Sequence, residues 1–528
     1  MPNRISRRDF LQVAGSGALA ATSALALAAC GSSSSPGTTT TTSGGTGTPK
    51  RGGTLNAALI GGTSSDTLDG NAPVETLDLC RVTQLYNTMV ALNTQAQVQN
   101  VLVEEFTPNA DATEWTMRLR SGVTFHNGKS MTADDLIYTL QRIADPKSPK
   151  PGASTIAPCE VQHMKKRDKL TVTLPCKTPY ATFVESLAGY FLYFNIVPVG
   201  YDPKNPIGTG PFKYKTFVPG QSSTFVRNEN YWESPYPYFD EVVISEYSDE
   251  TSQVNALVSG SADVVNALSA ASIPTIRASG HASTLVSNGG GYTPFTMRVD
   301  ATPFNDVRVR QAMRLVIDRP QMRELVFAGH GLLGNDISSI YDPEYDRSIP
   351  QREQDIAQAK ALLRAAGREG MTVELVTADI AQGTTSAATV LVQQAKAAGI
   401  TINLRTPTVT EFYGKEYLSW TFAQDFWYYT PYLPQVVQAF LPTSPYNEPH
   451  FNDPHYTALY NEAAATIDPS KRSAIAHEMQ MIDYTQGGWI IPYFPPVIDG
   501  FANNIQGVVP SLYGESLGNF GFDKMWRS

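Results

Sequence analysis

Several short patterns in the chain carry residue types that could do chemistry, and each is tested by its context. Gly514-Glu515-Ser516-Leu517-Gly518 has the spacing of a nucleophile elbow, where a strained turn presents a serine hydroxyl to a base. Such a hydrolase needs an acid and then a histidine later in the chain, but the last histidine is His477 and ten residues follow Gly518. Gly329-His330-Gly331-Leu332-Leu333-Gly334 spells a dinucleotide fingerprint, yet it follows a predicted helix ending near Phe327 where that chemistry needs a strand. Residues 122–130 resemble a phosphate-binding loop with one residue too many before Gly128-Lys129-Ser130, and the wrong spacing cannot cradle a phosphate. His450 and His455 are the only close pair among seven histidines, in a Pro- and Asn-rich loop without helical i, i+4 geometry. No catalytic residue, metal ligand set or cofactor is therefore expected.

An aromatic-dense stretch offers a different chemistry, the binding of an organic solute. Residues 413–440 contain Tyr413, Tyr417, Trp420, Phe422, Phe426, Trp427, Tyr428, Tyr429, Tyr432 and Phe440. Solute pockets are concave and largely aromatic, with a few polar groups fixing orientation. Most of these rings are expected in cores, but consecutive bulky aromatics in Trp427-Tyr428-Tyr429-Thr430-Pro431 cannot all face one core from a strand. Trp427, Tyr428, Tyr429 and Thr430, with Asp425 and Trp420, are the candidate ligand-binding residues.

The elements that must hold such a site alternate between strand and helix patterns, which predicts an α/β fold. With 528 residues, 42% of them hydrophobic, the chain exceeds the roughly 250–300 residues one core supports, so two or more lobes are expected. Residues 52–59 read as a first strand. Thr132-Ala133-Asp134-Asp135 is a capping box ahead of Leu136, Ile137, Leu140 and Ile143 on one helical face. Asp306 and Asp355 open further amphipathic helices, and Gly367 stops the second of these. Asp453-Pro454 and Asp468-Pro469 combine an N-cap with proline at the first helical position, and Gly487-Gly488 ends the latter helix. A net charge of −9 lacks the basic face that counterion release requires, which argues against nucleic acid as a partner. No run of 18 or more strongly apolar residues is present to span a bilayer.

The N-terminus reads as an address. Ser6-Arg7-Arg8-Asp9-Phe10-Leu11-Gln12 is a twin-arginine pattern, an Ala/Gly-rich stretch follows, and Leu27-Ala28-Ala29-Cys30 matches a lipobox. Residues 1–29 are thus expected to be a signal, with cleavage leaving a lipidated Cys30. Residues 31–48 are all Gly, Ser, Thr or Pro, a flexible tether of roughly 20–25 Å root-mean-square span. Loss of residues 1–29 removes three arginines and one aspartate, taking the formal charge from −9 to −11, so the body is not drawn onto anionic lipid. Three cysteines remain. If Lys166 pairs with Lys169 in a hairpin around Arg167-Asp168, registry places Cys159 opposite Cys176, close enough for a disulfide. Two free core thiols are the alternative.

Trp115-Thr116-Met117-Arg118-Leu119-Arg120-Ser121-Gly122-Val123-Thr124-Phe125-His126-Asn127-Gly128 continues into Thr132-Ala133-Asp134-Asp135-Leu136. Gly208-Thr209-Gly210-Pro211-Phe212, Asn228-Glu229-Asn230-Tyr231-Trp232 and Pro303-Phe304-Asn305-Asp306-Val307-Arg308-Val309-Arg310-Gln311-Ala312 follow in order. Together these stretches carry a resemblance to a known family, extracellular solute-binding protein family 5, the dipeptide, oligopeptide and nickel binding components of ABC importers. It implies a two-lobed periplasmic-binding-protein-like clamp of type II with an extra inserted subdomain. Its expected parts are 1–29 signal, 30–49 lipidated Cys and linker, 50–82 with 195–295 and 490–528 as lobe one, 83–194 as the inserted subdomain, and 296–489 as lobe two. It also implies a non-enzymatic, extracytoplasmic receptor, which the lipobox would hold by lipid at Cys30 on the outer face of the cytoplasmic membrane after export by the twin-arginine route. Its partners would be a small organic solute or peptide and an ABC permease with its ATPase subunits. A lipid-anchored surface hydrolase is the alternative.

Two departures from the family pattern bear on the solute. In peptide binders an Asp shortly after a Trp typically pairs with the peptide ammonium, but residues 427–437 hold no acid and Asp425 precedes the Trp. Dipeptide binders also use an Arg in a lobe-two loop to hold the carboxylate, and the corresponding residues 378–389 contain no Lys or Arg. An unpaired buried terminus costs several kcal/mol, so a larger or less charged solute is expected in place of a free dipeptide.

Overall fold

The computed structural model describes residues 47–189 and 192–528. The twin-arginine pattern, the lipobox with Cys30 and most of the Gly/Ser/Thr tether lie outside the described residues. The rest is mixed α/β, built on two principal sheets that serve as the floors of two lobes.

The first lobe is a seven-stranded sheet in the order Ala282–Asn288, Pro496–Ala502, Val264–Val265, Thr54–Ile60, Glu241–Tyr247, Ser222–Arg227 and Phe212–Val218. The central strand Thr54–Ile60 runs parallel to both its neighbours, so its register is set by apolar side chains alternating toward the packed faces. The second lobe is a five-stranded sheet in the order Thr401–Arg405, Thr372–Val376, Phe422–Gln424, Phe295–Met297 and Trp489–Ile490. The chain passes between the two sheets twice, after Asn288 and before Pro496. A four-stranded sheet of Val103–Pro108, Glu114–Leu119, Thr171–Pro175 and Lys165–Lys166 lies within the segment inserted between the first lobe's strands. This sheet shares one apolar core with the first lobe, in which Met117 and Val172 are buried in the same cluster as Leu55, Phe225 and Val242. The inserted segment is thus packed onto the first lobe through a common core.

Local signals act as read. Thr132 and Asp135 form a reciprocal capping box on the helix Ala133–Ile143. Asp306, Asp355, Asp453 and Asp468 each accept backbone N–H bonds at the start of their helices. Two of the family-like motifs dock on each other. The Gly208 N–H donates to Nδ1 of His126 at 3.2 Å, leaving Nε2–H for the Gly210 carbonyl at 3.1 Å, and burial lowers the His126 pKa to about 4. A Cβ at Gly208 would sit 2.1 Å from the Leu85 carbonyl oxygen, so only glycine fits this approach.

The hairpin register differs from the expected one. Lys166 pairs with Val172 and Lys165 with Thr173, not Lys166 with Lys169, because the turn is longer and closes through the Arg167 N–H on the Thr171 carbonyl at 2.8 Å. A short 3₁₀ turn at Val161–His163 then takes up the difference. Cys159 consequently stands opposite Cys176 in an antiparallel bridge, with both side chains buried and the sulfurs 3.3 Å apart as thiols.

The first lobe also contains a buried acidic group with a pH signature. Burial, reinforced by Asp66 and Asp78 nearby, raises the Glu75 pKa from 4.5 to about 8. The native state therefore holds this proton more tightly than the unfolded chain does. The resulting stability is complete below the ordinary carboxylate range and is lost as pH rises through about 8. The melting temperature is expected to fall between about pH 6 and pH 9 and to fall less in Glu75→Gln. Equal slopes in the two proteins by calorimetry would refute this origin.

Candidate functional site

The aromatic run after Phe422–Gln424 crosses from one core to the next, one residue at a time. Trp427 exchanges both backbone hydrogen bonds with Tyr292, at 2.7 and 2.9 Å, which places it beside the first passage between the sheets. Its ring packs 5.3 Å from Trp489 in an apolar cluster of the second lobe. Phe426 belongs to a separate second-lobe cluster with Phe412 and Tyr413. Tyr429 turns the other way. Among the described residues it is the only one from 296–489 buried in the large core of the first lobe, its ring 6.3 Å from Tyr513 and 6.4 Å from Tyr341. Phe426, Trp427 and Tyr429 thus serve different cores because the backbone here is irregular rather than a strand.

Around Tyr429 the three parts of the fold meet. Tyr193 comes from the inserted segment and lies within electrostatic reach of Tyr428 and Tyr446 of the second lobe. Tyr513, from the first lobe, lies near Glu515, Tyr428 and Tyr193, and its own burial pushes its phenol well above the usual range. Tyr341 donates to the Asn288 carbonyl at 2.6 Å across the first passage, and the Thr430 carbonyl accepts from Ser339 at 2.7 Å. The junction is lined by phenols, with carboxyl groups close by. Asp342, which accepts the Tyr432 N–H at 2.7 Å, has its pKa raised to about 6 by burial and by Glu344.

Asp425 and Trp420 come together elsewhere. Asp425 is buried and accepts hydrogen bonds from Tyr413 at 2.6 Å and Tyr417 at 3.0 Å. With Thr296, Phe412, Trp420 and Glu448 it lines a cavity of about 10 Å³, room for a single water molecule and not for a solute. The Trp420 ring stacks on Phe412 and lies under the Arg405 guanidinium, 4.7 Å from it, at the rim of an open polar groove of about 390 Å³. This groove exists because Thr372–Val376 and Phe422–Gln424 pair only at Val376 and Ala423. The six sequence candidates therefore fall in three places, with Trp427 in a second-lobe core, Asp425 and Trp420 at a small cavity, and Tyr428, Tyr429 and Thr430 at the junction.

Tyr193, Tyr341, Tyr446 and Tyr513 were not singled out by sequence reasoning. They stand in four separate segments, and no local spacing marks them. A count of 25 tyrosines against six tryptophans is the one sequence-level hint.

The patterns weighed for catalysis find structural roles. Ser516 is buried against Asp499, a carboxyl whose pKa burial raises to about 7. His450 bonds Asp300 and the Leu418 carbonyl, whereas His455 bonds Glu478, so the two histidines do not converge. Among the described residues no group of three or more His, Cys, Asp or Glu could hold a metal ion.

The lobes touch in this structure. Gln382 of the second lobe donates to the Leu268 carbonyl of the first at 2.9 Å, from the loop in which no Lys or Arg occurs. Elsewhere, the Ala181 N–H of the inserted segment donates to the Ala464 carbonyl of the second lobe at 2.7 Å.

Comparison with known proteins places this architecture. Heme-binding protein A of Haemophilus influenzae is 24% identical, over 82% of this chain and 85% of that protein. The probable deoxycholate-binding periplasmic protein YgiS of Escherichia coli is 25% identical over 82% and 86%. The oligopeptide-binding protein AppA of Bacillus subtilis, solved with a nonapeptide, superposes with a TM-score of 0.73 at 20% identity, covering 91% of this chain and 100% of that one. The profile of the bacterial extracellular solute-binding proteins, family 5 (middle region), matches residues 97–448. A two-lobed clamp with this profile across its middle makes the chain a member of the bacterial extracellular solute-binding proteins of family 5.

Proposed function

We propose that the protein is a lipid-anchored extracytoplasmic receptor that captures a peptide-like or other organic solute by lobe closure and hands it to an ABC import permease. The observation that carries this reading is the phenol-lined junction, where Tyr193, Tyr429 and Tyr513 bring the inserted segment and both lobes to one point. A solute held there contacts both lobes and so favours the closed state by its differential affinity. Heme-binding protein A and the probable deoxycholate-binding protein YgiS are similar to this chain along most of its length, and AppA, solved with a nonapeptide, shares its fold, which fits a cleft shaped by aromatics rather than by charge pairs. The Asp425 carboxylate already takes two tyrosine hydroxyls, and Gln382 supplies no cation for a carboxylate, so a free dipeptide remains a poor fit. Export by the twin-arginine route and anchoring through Cys30 complete the reading. The Cys30→Ser protein is expected to leave the membrane fraction, and retention there would refute the lipid anchor.

One experiment addresses both the solute and the paired thiols. The soluble body from residue 50 onward is weighed by mass spectrometry in the native state and again after denaturation. A reproducible mass lost on denaturation is the expected result and identifies the solute. Absence of an adduct together with turnover in a hydrolase panel would overturn the receptor reading. The denatured mass is also expected to be lighter by two hydrogens. Cys159 and Cys176 would then have given two protons and two electrons to a disulfide-exchange oxidant outside the cytoplasm, closing the 3.3 Å gap to a bond. Three alkylatable thiols in the denatured body would refute that bond.

A further inference from the structure

We infer that Arg472 is a positioning residue for capture, an ionic latch that holds the clamp shut where the inserted segment meets the second lobe. Arg472 lies on the helix Pro469–Gln486 of the second lobe. Its Nε donates to Glu344 of the same lobe at 2.6 Å, and its second guanidinium arm reaches Glu185 at 3.0 Å. Glu185 sits on the short helix Phe183–Leu187 of the inserted segment, which shares its core with the first lobe. The two carboxylates thus reach one guanidinium from bodies with separate cores.

The two halves of this contact differ in kind. Glu344 is held in place independently of Arg472, since the Gln480 side chain donates to its carbonyl at 2.7 Å and accepts the Asp346 N–H at 2.7 Å. The Arg472–Glu344 pair belongs to the second lobe whether the clamp is open or shut. The Glu185 arm exists only when the lobes meet. The side chains of Arg472, Glu344 and Glu185 are 13%, 10% and 29% exposed, so the contact is largely withdrawn from solvent and weakly screened. The Ala181–Ala464 backbone bond at 2.7 Å lies beside it and fixes the approach of the two surfaces. A guanidinium suits this role because its planar fork serves two carboxylates at once, as a lysine ammonium does less well. Closure is therefore favoured before any solute contact is counted, and the latch sets how long a solute stays.

This inference rests on the receptor reading for its purpose, but its test is made on solute-free protein and so fails or succeeds separately. Wild type, Glu185→Lys and the swap Glu185→Lys/Arg472→Glu are stripped of solute by denaturation and refolding. Solution scattering and amide exchange are then measured, with a melting curve for each. Glu185→Lys sets two cations face to face and is expected to expand the molecule. Exchange of the Phe183–Leu187 amides and of those near Ala464 should rise about ten-fold or more. In the swap, the ammonium introduced on the inserted segment faces the carboxylate introduced on the second-lobe helix, together with Glu344. Both readouts are then expected to return toward wild type. Unchanged scattering and exchange in Glu185→Lys would overturn the latch. So would faster exchange that the swap fails to reverse, because that marks a local structural role.

Discussion

Asp336→Asn is expected to destabilise the protein by roughly 3–5 kcal/mol, the cost of removing one partner from a buried ionic cluster. Asp336 is fully buried, with its oxygens 2.8 and 2.9 Å from Arg319, 2.7 Å from Arg352 and 3.8 Å from Arg314. Its backbone is left-handed at φ 64°, which asparagine tolerates, so the substitution tests charge and not conformation. The aspartate also accepts the Ile491 N–H at 3.0 Å, tying the returning chain to the second lobe just before it passes to the first. Losing the carboxylate leaves neighbouring guanidinium groups facing one another with no anion between them. The arginines hold the Asp336 carboxyl below its usual pKa against the opposing effect of burial. Its contribution is therefore present above the ordinary aspartate range and lost as pH falls through the lower native value. A denaturant midpoint for Asp336→Asn within error of wild type at neutral pH would refute this.

Gly290→Ala is expected to hold the clamp open. The chain passes from the first sheet to the second through Gly289-Gly290-Gly291, and the rings of Tyr429 and Tyr341 lie directly on the middle glycine. A Cβ there would stand 2.6 Å from the Tyr429 ring and 3.2 Å from that of Tyr341. Both rings come from the second lobe, so the added methyl group is a wedge that acts only when the lobes are together. Overpacking of this kind costs about 1–3 kcal/mol. Because the cost falls on the closed state alone, apparent solute affinity is expected to drop about ten-fold or more. The loss should register as a missing adduct in native mass spectra and a larger radius in scattering. Gly291→Ala, whose Cβ would lie 3.3 Å from the Trp427 carbonyl oxygen, is the milder companion. A Gly290→Ala protein that retains its adduct and wild-type radius would exclude the tyrosine seat as a closure contact.

How far the sequence could be read depended on whether the deciding contacts were local. Helix starts at Thr132, Asp306, Asp355, Asp453 and Asp468 were legible because an N-cap acts within three residues of itself. The cysteine pair shows the limit. The opposition of Cys159 and Cys176 was expected from a simple hairpin, and the structure reaches it through a longer turn and a 3₁₀ insertion that offset each other. Strand registry counts residues between paired positions, and neither an insertion nor a turn length announces itself in composition.

The candidate site divides along the same line. That residues 427–429 would serve more than one core followed from their bulk and adjacency alone. Which core each ring serves did not, since Trp427 meets Trp489 and Tyr429 meets Tyr513, partners more than sixty residues away in the chain. By itself the sequence determined an α/β receptor-like chain, the starts of its helices and the family it belongs to. These follow from side-chain period, capping chemistry and motifs read in order. Only the tertiary structure decided that Asp425 faces a cavity the size of one water, that Tyr341 and Tyr513 pack against Tyr429, and that Tyr193 lies near Tyr513. It alone placed Glu185 against Arg472. Each of these is a meeting of segments from different parts of the chain, and such meetings are set by how whole sheets pack.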